Sequence, residues 1–74
     1  MKKYYCGLDE YANRADALEA CDVTELDTEG MIWNGEIYHD RDTGESWKPM
    51  QECEIDETGD IEYAETIGYR RSIA

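Results

Sequence analysis

The side chains in this sequence that could form a functional site are above all its carboxylates. Residues 22–65 contain fifteen Asp and Glu but only two Lys and Arg, whereas the whole chain of 74 residues has a formal net charge of −12. This middle stretch therefore carries all of the negative excess. Because self-repulsion of like charges opposes the compact state, we interpret the excess as a surface for a strongly basic partner.

The candidate site is a set of carboxylates on two predicted strands. Acidic residues alternate with Cys53 and Ile55, which predicts that the acidic side chains face outward. Residues two apart on a strand are separated by about 6.6–6.8 Å. Two such strands come within a small factor of the one charge per ~1.7 Å of duplex DNA. We therefore predict a DNA-mimicking face that binds a partner. It consists of Glu52, Glu54, Asp56, Asp60 and Glu62.

The alternative is that these carboxylates form a solvated face, which only keeps the protein soluble. A net charge of −12 exceeds the magnitude of about 2–8 that suits a small soluble domain. This excess favours the partner-binding interpretation.

Other chemistries have weaker signatures. His39 is the only histidine, and no nucleophile motif accompanies it, so we expect no enzyme and no catalytic residue. Together with Cys6, Cys21 and Cys53 it lacks the short-range ligand pairs of structural zinc sites. An odd number of cysteines without paired spacing also argues against a disulfide framework. We therefore predict no metal site and no cofactor.

The acidic run at residues 40–45 resembles half of a calcium-binding loop. Gly44 stands where a ligand belongs, Glu45 where the glycine belongs, and Gln51 where the bidentate glutamate belongs. We favour a turn with solvated carboxylates. A small calcium-binding domain is kept as an alternative.

One helix is predicted within residues 8–22. Either Asp9 caps a helix that begins at Glu10, or Asn13 caps a shorter helix that begins at Arg14. We favour the start at Asn13. The spacing of three and four indicates one apolar stripe. It comprises Leu8, Tyr11, Ala15, Leu18 and Cys21.

The rest of the chain is predicted to be β. A first strand covers residues 3–6. A weak strand candidate follows at 23–26, and further strands are predicted at 31–39, 45–48, 52–56 and 60–65. Pro49 either stops its strand or places it at an edge. Ile67, Tyr69 and Ile73 add a closing strand or pack as a tail. The side chains expected on the core face include Met31, Trp33, Ile37, Cys53, Ile55, Ile61 and Tyr63.

Two later turns are near copies, and both fit a three-residue hairpin loop with glycine in the left-handed position. This register places Arg41 opposite Glu45 in the first hairpin. In the second it pairs Ile55 with Ile61, Cys53 with Tyr63, Asp56 with Asp60, and Glu54 with Glu62. Like charges directly opposite destabilise a sheet by roughly 0.2–1 kcal/mol per pair. Because departures from local stability rules tend to mark function, the second hairpin is the predicted functional face.

These elements predict an α+β fold: one short helix packed on a small antiparallel β-sheet of hairpins, with three to five strands. Residues 1–74 are expected to form a single compact domain. The N-terminal lysines are not followed by the apolar run of a signal peptide, and no stretch approaches ~18 apolar residues. We therefore expect a soluble, cytoplasmic monomer that does not contact a membrane. Four aromatic residues are core candidates, or partner anchors where exposed beside the acidic face. They are Trp33, Tyr38, Trp47 and Tyr69.

The chain resembles the small acidic anti-CRISPR proteins of phages, several of which act as DNA mimics. The resemblance covers size, charge and layout over the whole chain, together with the opening Lys2-Lys3-Tyr4-Tyr5-Cys6-Gly7 and the stretch Asn13-Arg14-Ala15-Asp16-Ala17-Leu18-Glu19-Ala20. It implies a non-enzymatic inhibitor in the host bacterial cell. Its partner would be a basic nucleic-acid-binding protein or complex, such as a subunit of the CRISPR Cascade complex, and it would not bind nucleic acid directly. An antitoxin, immunity or antirestriction protein that binds a basic nuclease is the alternative.

Overall fold

The computed structural model describes residues 1–72. They form a six-stranded antiparallel sheet and one short helix, so the predicted α+β fold is confirmed. The sheet has more strands than the three to five expected, because residues 9–11 form an unforeseen strand and the predicted strand at 31–39 is two strands joined by a turn. The elements are β1 (Lys2–Cys6), β2 (Asp9–Tyr11), α1 (Arg14–Glu19), β3 (Ile32–Trp33), β4 (Tyr38–His39), β5 (Ser46–Ile55) and β6 (Ile61–Ser72).

Strand β5 is the centre of the sheet. Strand β6 pairs with it along its whole length on one side. On the other side, β1 pairs with the C-terminal part of β5 and β4 pairs with Ser46 and Trp47. Pro49 therefore does not stop the strand. It lies between the parts of β5 that pair with β4 and β1, where its missing N–H costs no ladder hydrogen bond.

The N-terminal hairpin was predicted only in part. Strand β1 matches the expected strand, and Gly7 turns the chain with a left-handed φ of 64°. The following residues form β2, with Tyr11 opposite Tyr4, rather than the start of a helix. Leu8 lies fully exposed in the turn, so its assignment to the apolar helical stripe is wrong.

Helix α1 begins as the favoured cap predicts. The Asn13 side chain accepts a hydrogen bond from the backbone N–H of Asp16 at 2.9 Å. The buried residue is Ala17, whereas Ala15 is exposed. The predicted apolar stripe is therefore wrong. The helix has only six residues, and Ala20 and Cys21, which follow it, pack against the core beside Ala17.

The core on the helix side of the sheet is small. Tyr4, Cys6, Ala17 and Met50 are buried together. Gly68 of β6 allows close approach, since a Cβ atom there would lie 2.7 Å from the sulfur of Cys21.

Aromatic residues form a second cluster around β4. Trp47 and Met50 are three residues apart on β5 and so face opposite sides of the sheet. Tyr38 stacks at a tilt on Trp33, with ring centroids 4.6 Å apart, and meets Tyr69 edge-on at 6.2 Å. Trp47 is buried as predicted, but Trp33 is 48% exposed. The expectation that Trp33 lies on the core face is therefore wrong.

Two further strand predictions need correction. The segment 31–39 is a hairpin of β3 and β4, because the Asn34 side chain accepts the backbone N–H groups of Glu36 and Ile37 and turns the chain. The segment 23–26 forms no strand, and only Val23 makes an isolated bridge, to Tyr69. Ile73, part of the predicted closing segment, lies outside the described residues. Residues 1–72 contain no helix that is long and apolar enough to cross a membrane.

Candidate functional site

The β5–β6 turn, on which the predicted site is centred, has the expected loop. Asp56 donates its backbone N–H to the carbonyl of Asp60 at 2.9 Å, and Ile55 lies opposite Ile61. Gly59 adopts the left-handed conformation with φ 90°. The three-residue loop is therefore confirmed.

The register beyond that turn differs from the prediction. A β-bulge places Glu62 as an extra residue in β6, so that Glu54 lies opposite Tyr63 and Cys53 opposite Ala64. The predicted pairs of Glu54 with Glu62 and of Cys53 with Tyr63 are wrong. The bulge separates the two carboxylates that would have repelled each other across the ladder.

The β4–β5 hairpin also differs. The backbone N–H of Asp40 donates to the carbonyl of Glu45 at 2.8 Å, so the loop comprises residues 41–44. Arg41 therefore does not lie opposite Glu45. The Glu45 carboxylate instead meets Arg71 of β6, with Oε2 2.9 Å from Nη2.

Glu52 faces the helix side of the sheet and is only 4% exposed. Its carboxylate accepts a hydrogen bond from Lys2 Nζ at 3.2 Å and another from Arg14. Burial by itself would raise the pKa of Glu52, but the hydrogen bonds and charges of Lys2 and Arg14 outweigh it and lower the pKa. The prediction that Glu52 faces outward is therefore wrong, because two cations from the N-terminal third of the chain cover it.

Glu54 and Asp56 also make contacts within the fold. Glu54 Oε1 lies 3.1 Å from the N-terminal amine of Met1. Asp56 Oδ1 accepts the hydroxyl of Thr58 at 2.6 Å and the backbone N–H groups of Thr58 and Asp60 at 2.9 and 3.0 Å. These hydrogen bonds, that of the Thr58 hydroxyl first, lower the pKa of Asp56. Its carboxylate holds the turn together.

The remaining two predicted residues are exposed and have acidic neighbours. We define the acidic tip as the exposed carboxylates at this end of β6. It comprises Glu57, Asp60, Glu62 and Glu65. Within residues 1–72 none of the four forms an ion pair. Sequence reasoning missed Glu57 because it lies in the turn, and Glu65 because it shares the strand face of Tyr63, which was predicted to point to the core.

Two apolar side chains lie exposed among these carboxylates. Ile61 is 58% exposed and Tyr63 is 52% exposed, so the prediction that both face the core is wrong. Helix α1 packs instead against β1 and β2. The Tyr63 hydroxyl donates to Glu65 at 2.9 Å, and this hydrogen bond raises the pKa of Tyr63.

A second acidic region lies at the other end of the sheet. It lies on three connections, which we call together the distal loop: residues 24–31 before β3, residues 34–37 between β3 and β4, and residues 40–45 between β4 and β5. Strand β4 pairs with the first residues of β5, whereas the acidic tip lies beside and beyond the last. Along β5, the turn of the acidic tip is about 30 Å from Ser46, and Glu65, which lies opposite Glu52, is about 20 Å from it. The exposed acidic residues of this distal loop include Glu25, Asp27, Glu29, Glu36 and Asp42.

The cations are concentrated between these two regions. Five of the seven Lys and Arg form ion pairs. Arg70, for example, holds Asp9 at 2.8 Å, and Lys3 lies 3.6 Å from Glu10. Four of these five cations pair with Asp9, Glu10 or Glu52 near the helix, whereas Arg71 pairs with Glu45 at the distal end.

The other candidate residues lie around β4. His39 Nδ1 lies 3.0 Å from the Oγ of the buried Ser46, and this contact joins β4 to β5. No group of three or more His, Cys, Asp or Glu within residues 1–72 is arranged to hold a metal ion. In the acidic turn at 40–45, Asp40 Oδ1 accepts the backbone N–H of Asp42 at 2.9 Å. The cysteines of the chain are all free thiols.

Comparison of the chain with models of protein families, with curated proteins and with solved structures found no significant match.

Proposed function

We propose that this chain is a non-enzymatic inhibitor of a bacterial defence complex that binds DNA, such as a CRISPR surveillance complex. In this proposal it acts as a monomer in the cytoplasm of the host cell, and its acidic tip occupies the basic surface that would otherwise hold DNA. The observation that carries the proposal is the acidic tip itself: four exposed carboxylates on one hairpin, without ion pairs in residues 1–72.

The overall charge density supports DNA mimicry. The Cα atoms extend over 43 × 22 × 19 Å, and the formal net charge is −12. Along the 43 Å axis this is one net charge per about 3.6 Å. Duplex DNA carries one per ~1.7 Å, so the protein reaches about half of the density of DNA. A basic groove shaped for DNA would attract such a rod from a distance and steer it into place.

The exposed apolar side chains give the tip a means of holding a partner after encounter. Charges at the rim of an interface mainly raise the association rate, whereas buried aromatic anchors supply much of the affinity. Tyr63 and Ile61 are exposed on the same strand as the tip carboxylates Glu62 and Glu65. A protein partner that covers them would gain apolar burial that DNA phosphates do not offer.

The proposed site is a revision of the one predicted from sequence. Asp60 and Glu62 belong to the acidic tip, and Glu54 and Asp56 border it while serving the fold. Glu52 is left out, because withdrawing its carboxylate toward a partner would break its contacts with Lys2 and Arg14.

A competition experiment tests the proposal. Purified protein is titrated into a panel of CRISPR surveillance complexes bound to labelled target DNA, and the DNA that remains bound is measured by gel shift. We expect DNA to be displaced from at least one complex. Replacing the three tip glutamates should raise the inhibitory concentration at least about tenfold, equivalent to about 1.4 kcal/mol. The tip variant is Glu57→Gln, Glu62→Gln and Glu65→Gln.

The matched control removes the same charge from the distal loop. It is Glu25→Gln, Glu29→Gln and Glu36→Gln, all exposed in the fold. We expect it to inhibit within about threefold of the parent, since Debye screening over about 8 Å at physiological salt isolates the two regions. Equal losses in both variants would show that only net charge matters and would overturn the assignment to the tip. Failure to displace DNA from any complex, or inhibition of a basic nuclease alone, would overturn the proposed function.

A further inference from the structure

The N-terminal half of β6 is an open sheet edge. On its outer side, the C-terminal half of the strand is covered: Tyr69 exchanges hydrogen bonds with Val23 at 2.8 and 3.2 Å, and Arg71 donates its backbone N–H to the Asp22 carboxylate at 2.6 Å. No segment of residues 1–72 pairs in this way with residues 61–66, which are all exposed.

The pairing of β5 shows which backbone groups of this edge point outward. Ile55 donates its N–H to Met1 at 2.7 Å, away from β6, and Cys53 lies two residues earlier on the same strand. Since the two sides of an antiparallel strand alternate, Cys53 and Ile55 do not exchange hydrogen bonds with their partners on β6. Those partners are Ala64 and Ile61, so their N–H and C=O groups point away from the sheet.

The same reasoning reproduces a contact that is present in the structure. Pro49 has no N–H and lies opposite Tyr69, so this pair also lacks ladder hydrogen bonds. Tyr69 should then direct its backbone groups outward, and it does so toward Val23. Thr66, opposite Gln51, belongs to the same class. The open edge thus offers outward donors and acceptors at Ile61, Ala64 and Thr66, ready to extend the sheet by one strand.

The charge of the edge selects its occupant. The open edge carries three exposed carboxylates, Asp60, Glu62 and Glu65. The side chains of Ile61 and Tyr63 are also exposed there. A second copy paired antiparallel about Ala64 would place Glu62 opposite Thr66 and Glu65 opposite Tyr63 of the other chain, so no carboxylate would gain a cation. It would also bring together two chains that each carry a net charge of −12, which repel. An extended segment with Lys or Arg at alternate positions would neutralise them and satisfy the backbone groups at once.

We propose that this edge binds an extended, lysine- or arginine-rich segment of a protein partner by strand addition, antiparallel or parallel to β6. The backbone hydrogen bonds supply affinity and the alternating side chains supply selectivity, as in other cases of β-augmentation. The inference rests on the proposed function for the basic character of the partner, and it adds the way in which that partner docks.

A proline substitution distinguishes binding through the backbone groups of the edge from binding through charge alone. Ala64→Pro removes one outward N–H and no hydrogen bond of the β5–β6 ladder, whereas the control Ala64→Ser keeps the N–H. The probe is a fluorescently labelled, acetylated (Lys-Val)4 amide, and binding is measured by anisotropy. We expect the parent and Ala64→Ser to bind it alike and Ala64→Pro to bind at least about tenfold more weakly. Circular dichroism and a thermal melt check that Ala64→Pro stays folded.

A second probe keeps the proposal testable if that variant does not fold. The same peptide, N-methylated at two adjacent central residues, has unchanged charge but lacks a donor on both of its edges. We expect the parent to bind it at least about tenfold more weakly than the unmodified peptide. Equal binding of both peptides, or of the parent and a folded Ala64→Pro, would overturn strand addition. A parent dimer in sedimentation that Ala64→Pro abolishes would show that the occupant is a second copy.

The outcomes also separate this inference from the proposed function. If Ala64→Pro displaces DNA from a surveillance complex as well as the parent does, strand addition is overturned and the proposed function stands. If the peptide binds through the edge but no complex is inhibited, the proposed function is overturned and the open edge still binds a basic strand.

Discussion

The carboxylate of Glu52 accepts hydrogen bonds from Lys2, 50 residues away in sequence, and from Arg14, 38 residues away. It joins β1, the start of α1 and the central strand at one point. Both cations remain about half exposed, with 54% of each side chain accessible. Glu52 is thus desolvated while its partners keep part of their hydration, an arrangement that favours net stabilisation over a fully buried pair.

We predict that Glu52→Gln lowers the free energy of unfolding by about 2 kcal/mol at neutral pH, the range for hydrogen bonds to a charged group. For a domain of this size the melting temperature should fall by about 10 °C. Thermal melts of this variant and of the exposed control Glu62→Gln measure the difference. A loss no larger than that of the control would contradict the internal role of Glu52.

The difference in stability between the parent and Glu52→Gln should depend on pH. The folded-state pKa of Glu52 is lowered, while the unfolded value is about 4.3. Its stabilisation is therefore complete above the unfolded pKa and is lost as the pH falls through the folded one. The stability gap between the parent and Glu52→Gln should be constant from pH 7 to about 5 and should narrow below about 4.3. Chemical denaturation at several pH values measures it, and a gap that widens toward acid would refute the assignment.

At the scale of elements, one close contact fixes the segment after α1 against β6. Gly68 lies in β6, where a Cβ atom would come within 2.7 Å of Cys21 Sγ and 3.1 Å of the Val23 carbonyl. Val23 in turn bridges to Tyr69. The absence of a side chain at Gly68 therefore lets residues 21–23 cover the C-terminal half of the β6 edge, which leaves only the N-terminal half open.

We predict that Gly68→Ala destabilises the fold by about 1–3 kcal/mol, the usual cost of overpacking. Adding Cys21→Ala should relieve part of the clash by removing the sulfur. The double variant should then be more stable than the sum of the two single effects predicts by at least about 0.5 kcal/mol, as expected for residues in contact. Urea unfolding of all four proteins gives the coupling. Strictly additive effects would show that the two residues do not compete for the same space.

At the scale of the whole molecule, charge is segregated along the long axis. Most cations of β1, α1 and β6 pair with carboxylates near the helix, while the acidic tip and the distal loop lie about 20–30 Å apart along β5. The paired charges are mostly at the surface and contribute little each. The net charge of −12 therefore makes self-repulsion the larger electrostatic effect.

We predict that raising the salt concentration from about 20 mM to about 500 mM increases the melting temperature by a few degrees, because screening weakens self-repulsion. The tip variant, with three carboxylates fewer, should melt higher than the parent at low salt and respond less to added salt. Calorimetry at several salt concentrations measures both effects. A melting temperature that falls with salt in the parent would show that the ion pairs outweigh the repulsion.

The sequence by itself determined the features that depend on neighbouring residues. The cap at Asn13, the first strand, the loop with Gly59 and the α+β class all follow from local patterns and are confirmed. The excess charge is likewise a property of composition. Such features need no knowledge of what covers each face of a sheet.

Tertiary structure alone decided which carboxylates are free. A period-2 pattern shows that Glu52 and Cys53 point to opposite faces, but it identifies a solvent face only when one side of the sheet is covered. Strand β5 is central, with strands on both of its edges, and both residues are buried. The bulge at Glu62 and the open N-terminal half of β6 arise in the same way. They are features of the pairing of β6 with β5 and with residues 22–23, which lie far from it in the chain.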